Sequence, residues 1–388
     1  MSELTPHPIA VAEAELDDLR ERLARTRWPE KEAVDDWSQG IPLAYVQELC
    51  AHWAGGYDWR RVESELNRFE QLRFVPDVGA PDRLGIQVLH APSPHQGALP
   101  LVLTHGWPGS VVEFLDVIEP LRDPPRHGGD PQDAFHVVCP TMPGYGFSDK
   151  PTATGWGVER IAEAWVELMV ALGYDSFGAQ GGDWGSAVTT ALGARHADHV
   201  VGIHLNMVSA GPGKDPGELT EAEQRALARL EDHRKWGMGY STQQSTRPQT
   251  LGYGLVDSPA AQAAWIVEKF WAWADHDGHP EDAVSRDRLL DNVMHYWLPG
   301  AGASSGRLYW ESFNTFGSRD PIDVPSGMSI FPGEIFAPSR RWAERRFTDI
   351  REWSEHERGG HFAAFEQPGP FVADVRAFFR HVRPAATP

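Results

Sequence analysis

A single aspartate set among glycines is the residue best placed for covalent chemistry in this chain. It stands in Ala179-Gln180-Gly181-Gly182-Asp183-Trp184-Gly185-Ser186. A strand-forming run, Ser176 to Ala179, precedes it, and a helix-forming run, Ala187 to Leu192, follows. A sharp strand-to-helix turn lifts its central side chain above a sheet, and its neighbours must be small because backbone passes close by. A carboxylate at that centre is ionised at neutral pH and needs no base to make it a nucleophile. The N–H groups that open the following helix would keep it ionised. Such a group attacks saturated carbon bearing a leaving group, as in epoxides and alkyl halides, and forms an ester. The competing reading is a glycine turn whose aspartate only caps the helix.

An ester so formed needs a base to activate water and donors to hold the oxyanion. His105-Gly106-Trp107-Pro108-Gly109-Ser110 follows the apolar run Leu101–Thr104. The backbone N–H groups of Trp107 and Trp184 are the expected oxyanion donors, each worth on the order of 3 kcal/mol. A plain Gly-Pro loop is the alternative there. Gly359-Gly360-His361-Phe362 lies beyond the last strand signal, Asp349 to Trp353, where a tight loop would present His361 as general base. His356, in a charged stretch, is the rival and reads as solvated. The acid that orients the base is expected between nucleophile and base in the chain. Glu334, in Phe331-Pro332-Gly333-Glu334 at a strand end, leads; Asp320, Asp323, Asp349 and Glu352 stay open. A metal is not expected. His276 with His279, and His356 with His361, lack the three or four convergent ligands a zinc site needs.

The elements that would position these groups are legible as a rhythm. Short apolar runs at Gly85–His90, Leu101–Thr104, Phe135–Cys139, Ser176–Ala179, Val200–Leu205 and Met328–Phe331 alternate with helical stretches such as Val158–Leu172. That pattern predicts an α/β fold with a mostly parallel, doubly covered sheet. Ahead of it, Leu16, Leu19 and Leu23, then Trp59, Val62, Leu66 and Phe69, recur at helical spacing. These predict an N-terminal helical meander over 1–84, packed apart from the sheet. Between 209 and 321 the rhythm stops. Thr220 with Glu223 forms a capping box, and Ser258-Pro259 opens a helix running on through Ala264 to Trp273. This block is expected as a helical cap inserted between core segments 85–208 and 322–388.

Bulk properties exclude several function classes. A formal net charge of −20 on 388 residues argues against nucleic acid and anionic membrane as partners. Two cysteines, Cys50 and Cys139, offer no disulfide framework, so the cytoplasm is the expected compartment. Neither a signal peptide nor a membrane span is expected. Sixteen tryptophans fit core packing or an aromatic pocket equally well.

At these motifs the sequence resembles the epoxide hydrolases of the microsomal type and their soluble fungal and bacterial relatives. The likeness runs along nearly the whole chain. It includes Tyr57-Asp58-Trp59-Arg60, His105 to Ser110, Pro143-Gly144-Tyr145-Gly146-Phe147-Ser148, Gly181 to Gly185, Phe331 to Glu334 and Gly360-His361-Phe362. The resemblance implies an α/β-hydrolase fold and a small-molecule epoxide as partner. It assigns Asp183 as nucleophile, His361 as base and Glu334 as acid, with no cofactor. It also implies two cap tyrosines that hold the epoxide oxygen. Gly239-Tyr240-Ser241 and Leu308-Tyr309-Trp310 place that role on Tyr240 and Tyr309. From the residues alone, an amphipathic cap tyrosine with a wet hydroxyl is the simpler reading of either. Trp107, Trp184 and Trp265 are the expected substrate-binding aromatics, and the cap tryptophans Trp265, Trp271, Trp273 and Trp310 point to an aryl or bulky epoxide or, equally, to core packing. The composition resembles that of high-GC actinomycetes, whose relatives include enzymes tailoring enediyne-type natural products. A homodimer is kept as a candidate assembly. A haloalkane dehalogenase using the same aspartate is the alternative activity. A non-catalytic binder on the same scaffold is the alternative class.

Overall fold

The computed structural model describes residues 2–312 and 320–383. Residues 313–319, inside the expected cap block, lie outside the described residues. Among the described residues nine strands form one sheet in the order β1-β2-β3-β5-β4-β6-β7-β8-β9. The strands are β1 (Glu3–Pro6), β2 (Glu70–Val75), β3 (Ile86–Ala91), β4 (Leu99–Thr104), β5 (Phe135–Pro140), β6 (Phe177–Gly181), β7 (Val200–Leu205), β8 (Ser326–Ile330) and β9 (Ile350–Glu355). From β5 to β9 every pairing is parallel, whereas β1, β2 and β3 add an antiparallel edge. The central strands are buried on both faces, as β4 and β7 show, so they read as continuous apolar runs rather than alternating ones.

The N-terminal region differs from its expectation. It is not helical throughout: β1 and β2 extend the main sheet and pair through β3 with the core. Both strands are short and carry polar or charged residues, and β1 is the sheet's edge, so no apolar run announces them. The helices Glu13–Ala24 and Trp59–Leu66 follow the predicted spacing and bury Leu16, Leu19, Leu23, Trp59, Val62 and Leu66, and a further helix, Leu43–Gly55, buries Trp53 between them. They also grip the inserted block. Tyr57 Oη donates to Asp291 Oδ1 at 2.8 Å, Arg61 reaches the same carboxylate at 2.6 Å, and Arg288 binds Glu65 at 2.8 Å.

The cap is helical, as its sequence predicts. The Thr220–Glu223 box closes both ways, at 2.9 and 3.3 Å, and Ser258 caps Pro259–Trp273 through Ala261 N–H. Glu223 also bonds Ser339 and Arg341, which ties the cap's first helix to the second core segment. Among the described residues no helix is long and apolar enough to cross a membrane. Cys50 and Cys139 are both buried and unbridged.

Candidate active site

The glycine-flanked aspartate stands where strand β6 turns into the helix Asp183–Arg195. Its φ is 47°, and it is the one non-glycine with positive φ among the described residues. An L-residue held there costs about 1–3 kcal/mol, so the surroundings must enforce it. They do so by close approach. A Cβ at Gly181 would run into the Gly185 backbone, and one at Gly185 into the Thr104 carbonyl. A Cβ at Gly106 would collide with the Asp183 side chain itself. The turn is thus wedged against the loop after β4, and its carboxylate lies over Gly106. It lines a cavity together with His361, and so does more than cap a helix.

The loop after β4 supplies a donor. Trp107 N–H donates to Asp183 Oδ1 at 2.8 Å. Trp184 follows the aspartate in the first helical turn, where backbone N–H groups have no intrahelical acceptor. The loop is fixed from behind. Met142 N–H donates to His105 Nε2 at 3.2 Å, which leaves Nδ1 protonated to donate to the Gly106 carbonyl at 3.0 Å. Burial pushes this imidazole down to about 4, so it stays neutral. From the cap, Asn292 donates to the Pro108 carbonyl at 2.7 Å and Tyr296 Oη to the Gly109 carbonyl at 2.6 Å.

His361 approaches from the loop after β9. Its Nε2 lies 3.4 Å from Asp183 Oδ2, and its Nδ1 lies 2.7 Å from Glu334 Oε1. Burial works against an imidazolium here. Glu334 and Asp183 outweigh it, and His361 stands well above its usual pKa. Glu334 is placed by the turn after β8, and its Oε1 also accepts Ile335 N–H at 2.6 Å. The other candidate acids lie elsewhere: Asp323 bonds Thr348, Asp349 bonds Arg351, and Glu352 contacts His381. His356 is not solvated as expected. It pairs with Asp374 at 2.6 Å and stacks on Phe331, because the chain turns inward after β9. His276 bonds the Trp271 carbonyl and His279 caps a short turn at Pro280.

Both tyrosines are buried and face this cluster. The Tyr240 ring stacks on Trp107 at 5.0 Å, the Tyr309 ring meets Trp184 edge-on at 4.8 Å, and the two phenol rings lie 5.9 Å apart. Burial comes first in holding both phenols well above 10, and the Asp183 charge adds to it. Trp265 sits edge-on to Trp107 at 6.4 Å and lines an open groove of about 600 Å³ with Tyr240, Leu251 and Lys269. Three contributors were missed by the sequence reading or, for Trp273, read only as a cap aromatic. Trp273 packs 5.1 Å from the His361 ring, and its carbonyl accepts His361 N–H at 2.9 Å. Glu366 accepts N–H groups from Asp275 and Phe362, which stitches the cap linker to the histidine loop. Glu113 lines the same cavity as Asp183 and His361. Only Glu113 left a signal, the Ser110-x-x-Glu113 spacing of a capping box.

Comparison with known proteins agrees along the chain. Residues 4–114 match the family described as Epoxide hydrolase N terminus, and residues 100–277 match the alpha/beta hydrolase fold. A Stigmatella aurantiaca protein provisionally named an epoxide hydrolase is 52% identical over 98% of this chain and 86% of its own length. Epoxide hydrolase 1 of Sus scrofa is 32% identical, with 97% and 88% covered. The structure of Aspergillus niger epoxide hydrolase superposes with a TM-score of 0.86 at 30% identity, covering 98% of this chain and 97% of that one. Juvenile hormone epoxide hydrolase from Bombyx mori gives 0.89 at 27% identity, with 99% and 95% covered.

Proposed function

Given that this chain belongs to the epoxide hydrolase family, we propose that Asp183 opens the epoxide and that His361, oriented by Glu334, hydrolyses the resulting ester to release a vicinal diol. One observation carries the assignment. A carboxylate at φ 47° stands between a backbone donor at 2.8 Å and an imidazole at 3.4 Å that is itself backed by a buried acid at 2.7 Å. The halide-releasing alternative loses its ground with the family.

In the first step an Asp183 oxygen bonds to an epoxide carbon and that carbon's bond to the ring oxygen breaks. Tyr240 and Tyr309 donate to the developing alkoxide, and one phenol passes it a proton. The Asp183 charge raises both phenols before reaction. Esterification removes that charge, so the phenols become better acids as the alkoxide forms. In the second step water bonds to the ester carbonyl carbon and gives one proton to His361. The oxyanion rests on the Trp107 and Trp184 N–H groups. The ester C–O bond then breaks, His361 protonates the leaving oxygen, and the second water proton leaves the Asp183 carboxyl to restore the phenol.

Bulky or aryl epoxides suit the site. The groove beside Tyr240 is walled by Trp265 and Leu251, and Trp107 and Trp273 continue the aromatic lining inward. Styrene oxide is the first substrate to try. A single turnover in oxygen-18 water tests the covalent route. The first diol is expected to carry unlabelled oxygen from Asp183, and solvent label appearing in that first diol would replace the route by direct hydration.

A further inference from the structure

Asp183 and His361 share an internal cavity of about 20 Å³, which is room for one water molecule. Glu113 and Asn206 line it with the loop from His105 to Gly109. Among the described residues neither cap tyrosine contributes to its wall. The cavity is therefore distinct from the groove beside Tyr240, and it reaches both groups that the ester-hydrolysis step requires.

Glu113 sits on the short turn Val111–Phe114 that follows the Trp107 loop. Its carboxyl accepts Ser110 N–H, while the Ser110 hydroxyl accepts Val112 N–H at 3.3 Å. That uses one acceptor position of a group that has about four. The carboxyl folds back over Gly109, where a Cβ would strike it, and so it is held at the cavity wall.

We propose that Glu113 holds the water that hydrolyses the Asp183 ester, by accepting a hydrogen bond from the proton that His361 does not take. This rests on the covalent route described above. The water oxygen bonds to the ester carbon, one proton passes to His361 Nε2, and the other stays on oxygen against Glu113. When the ester bond breaks, His361 returns its proton to the leaving diol oxygen. Two contacts then orient the water, one from the base and one from the acid, so its lone pair points at the carbonyl carbon.

The electrostatics fit that order of events. Removal from water pushes Glu113 up to about 8, with His361 opposing and the Asp183 charge adding. The titratable groups around it are Asp183 on the turn after β6, His361 on the loop after β9, Glu366 at the end of the short helix Ala363–Glu366, and Tyr296 from the cap. Esterification removes the Asp183 charge, which favours the carboxylate when an acceptor is needed.

Rapid mixing with styrene oxide, followed by tryptophan fluorescence and by mass spectrometry of the Asp183 peptide, separates ester formation from ester decay. Glu113→Ala is expected to form ester within about 2-fold of the wild-type rate and to decay it about 10-fold more slowly, so that adduct accumulates. Glu113→Gln keeps a carbonyl acceptor for Ser110 N–H but not the charge. Its decay is expected to fall between the two, and it carries the test if the alanine variant does not fold. Wild-type decay in Glu113→Gln or Glu113→Ala, or equal loss in both steps, overturns the assignment. A wild-type enzyme that forms no ester at all would instead sink the covalent route itself.

Discussion

Replacing Glu334 by glutamine removes one charge and little else. Glu334 Oε1 accepts both Ile335 N–H at 2.6 Å and the His361 Nδ1 proton at 2.7 Å, so the amide oxygen of glutamine is held facing the same two donors. The imidazole keeps its tautomer and its orientation. What changes is the stability of the imidazolium that forms when water is deprotonated. Two unit charges about 4 Å apart are worth about 4 kcal/mol at an effective dielectric of 20. The retained neutral hydrogen bond returns about 1 kcal/mol. The net loss of about 3 kcal/mol corresponds to about 10²-fold in ester hydrolysis. Alkylation does not need the base and is expected to stay within about 3-fold. Glu334 also helps to raise His361, so its loss lowers that pKa and moves the rise of the hydrolysis rate toward lower pH. Pre-steady-state tryptophan fluorescence reads both steps, because Trp107 and Trp184 flank the nucleophile. An equal loss in alkylation would refute the division of labour, and an unshifted pH profile would refute the electrostatic origin.

Four further outcomes follow from the same geometry. Tyr240→Phe and Tyr309→Phe should each slow alkylation by about 10-fold and the pair by more, with ester decay little changed in the same burst experiment. Since both phenols are held well above 10, wild-type alkylation should show no alkaline loss near pH 10, and a midpoint there would contradict their burial. Gly106→Ala places a methyl against the Asp183 side chain, so it should abolish the adduct and destabilise the fold by about 1–3 kcal/mol, read as denaturation midpoint and adduct mass. Asp291→Ala strips the fully buried carboxylate that Tyr57, Arg61 and Arg288 share, and should cost about 2–3 kcal/mol because its arginine partners are partly hydrated. It should also loosen the adjacent Asn292 contact to the Trp107 loop, and an unchanged alkylation rate would show that the clamp acts on stability alone.

The legible part of this molecule is the part where one element's period dominates. The buried strands β4 to β8 announce themselves because both faces are covered and most of their residues are apolar or small. The nucleophile turn is legible because close backbone approach admits only glycine at Gly181 and Gly185. The strands β1 and β2 were not, since β1 is a half-solvated edge of four residues and β2 mixes charged with apolar residues, so both read as loop. His361 could be preferred to His356 only by its glycines. What distinguishes them is the inward fold after β9, which pairs His356 with Asp374 and aims His361 at Glu334. The tyrosines carried no local signal at all. Their role depends on two cap helices converging on Trp107 and Trp184, and convergence of distant segments leaves no trace in spacing.

That convergence gives the site a common control. Asp183 is the charge that His361, Tyr240, Tyr309 and Glu113 all feel, and it holds each of them toward its protonated form. In the resting enzyme this favours donors over the epoxide oxygen and disfavours a free base. Esterification neutralises that one carboxylate. Each neighbour is then released toward its deprotonated form: a phenol can give up a proton to the alkoxide, and the imidazolium can give its Nε2 proton to solvent and so become the free base that takes one from water. On the proposed route the two steps need opposite protonation states from a fixed set of side chains, and the covalent bond itself would switch them. No loop has to move and no proton has to arrive from bulk solvent between the steps. On this reasoning a neutral residue at 183 should lower the pKa of His361 even without substrate. Nitrogen-15 shifts of the imidazole in Asp183→Asn would show it, and an unchanged titration would remove the switch.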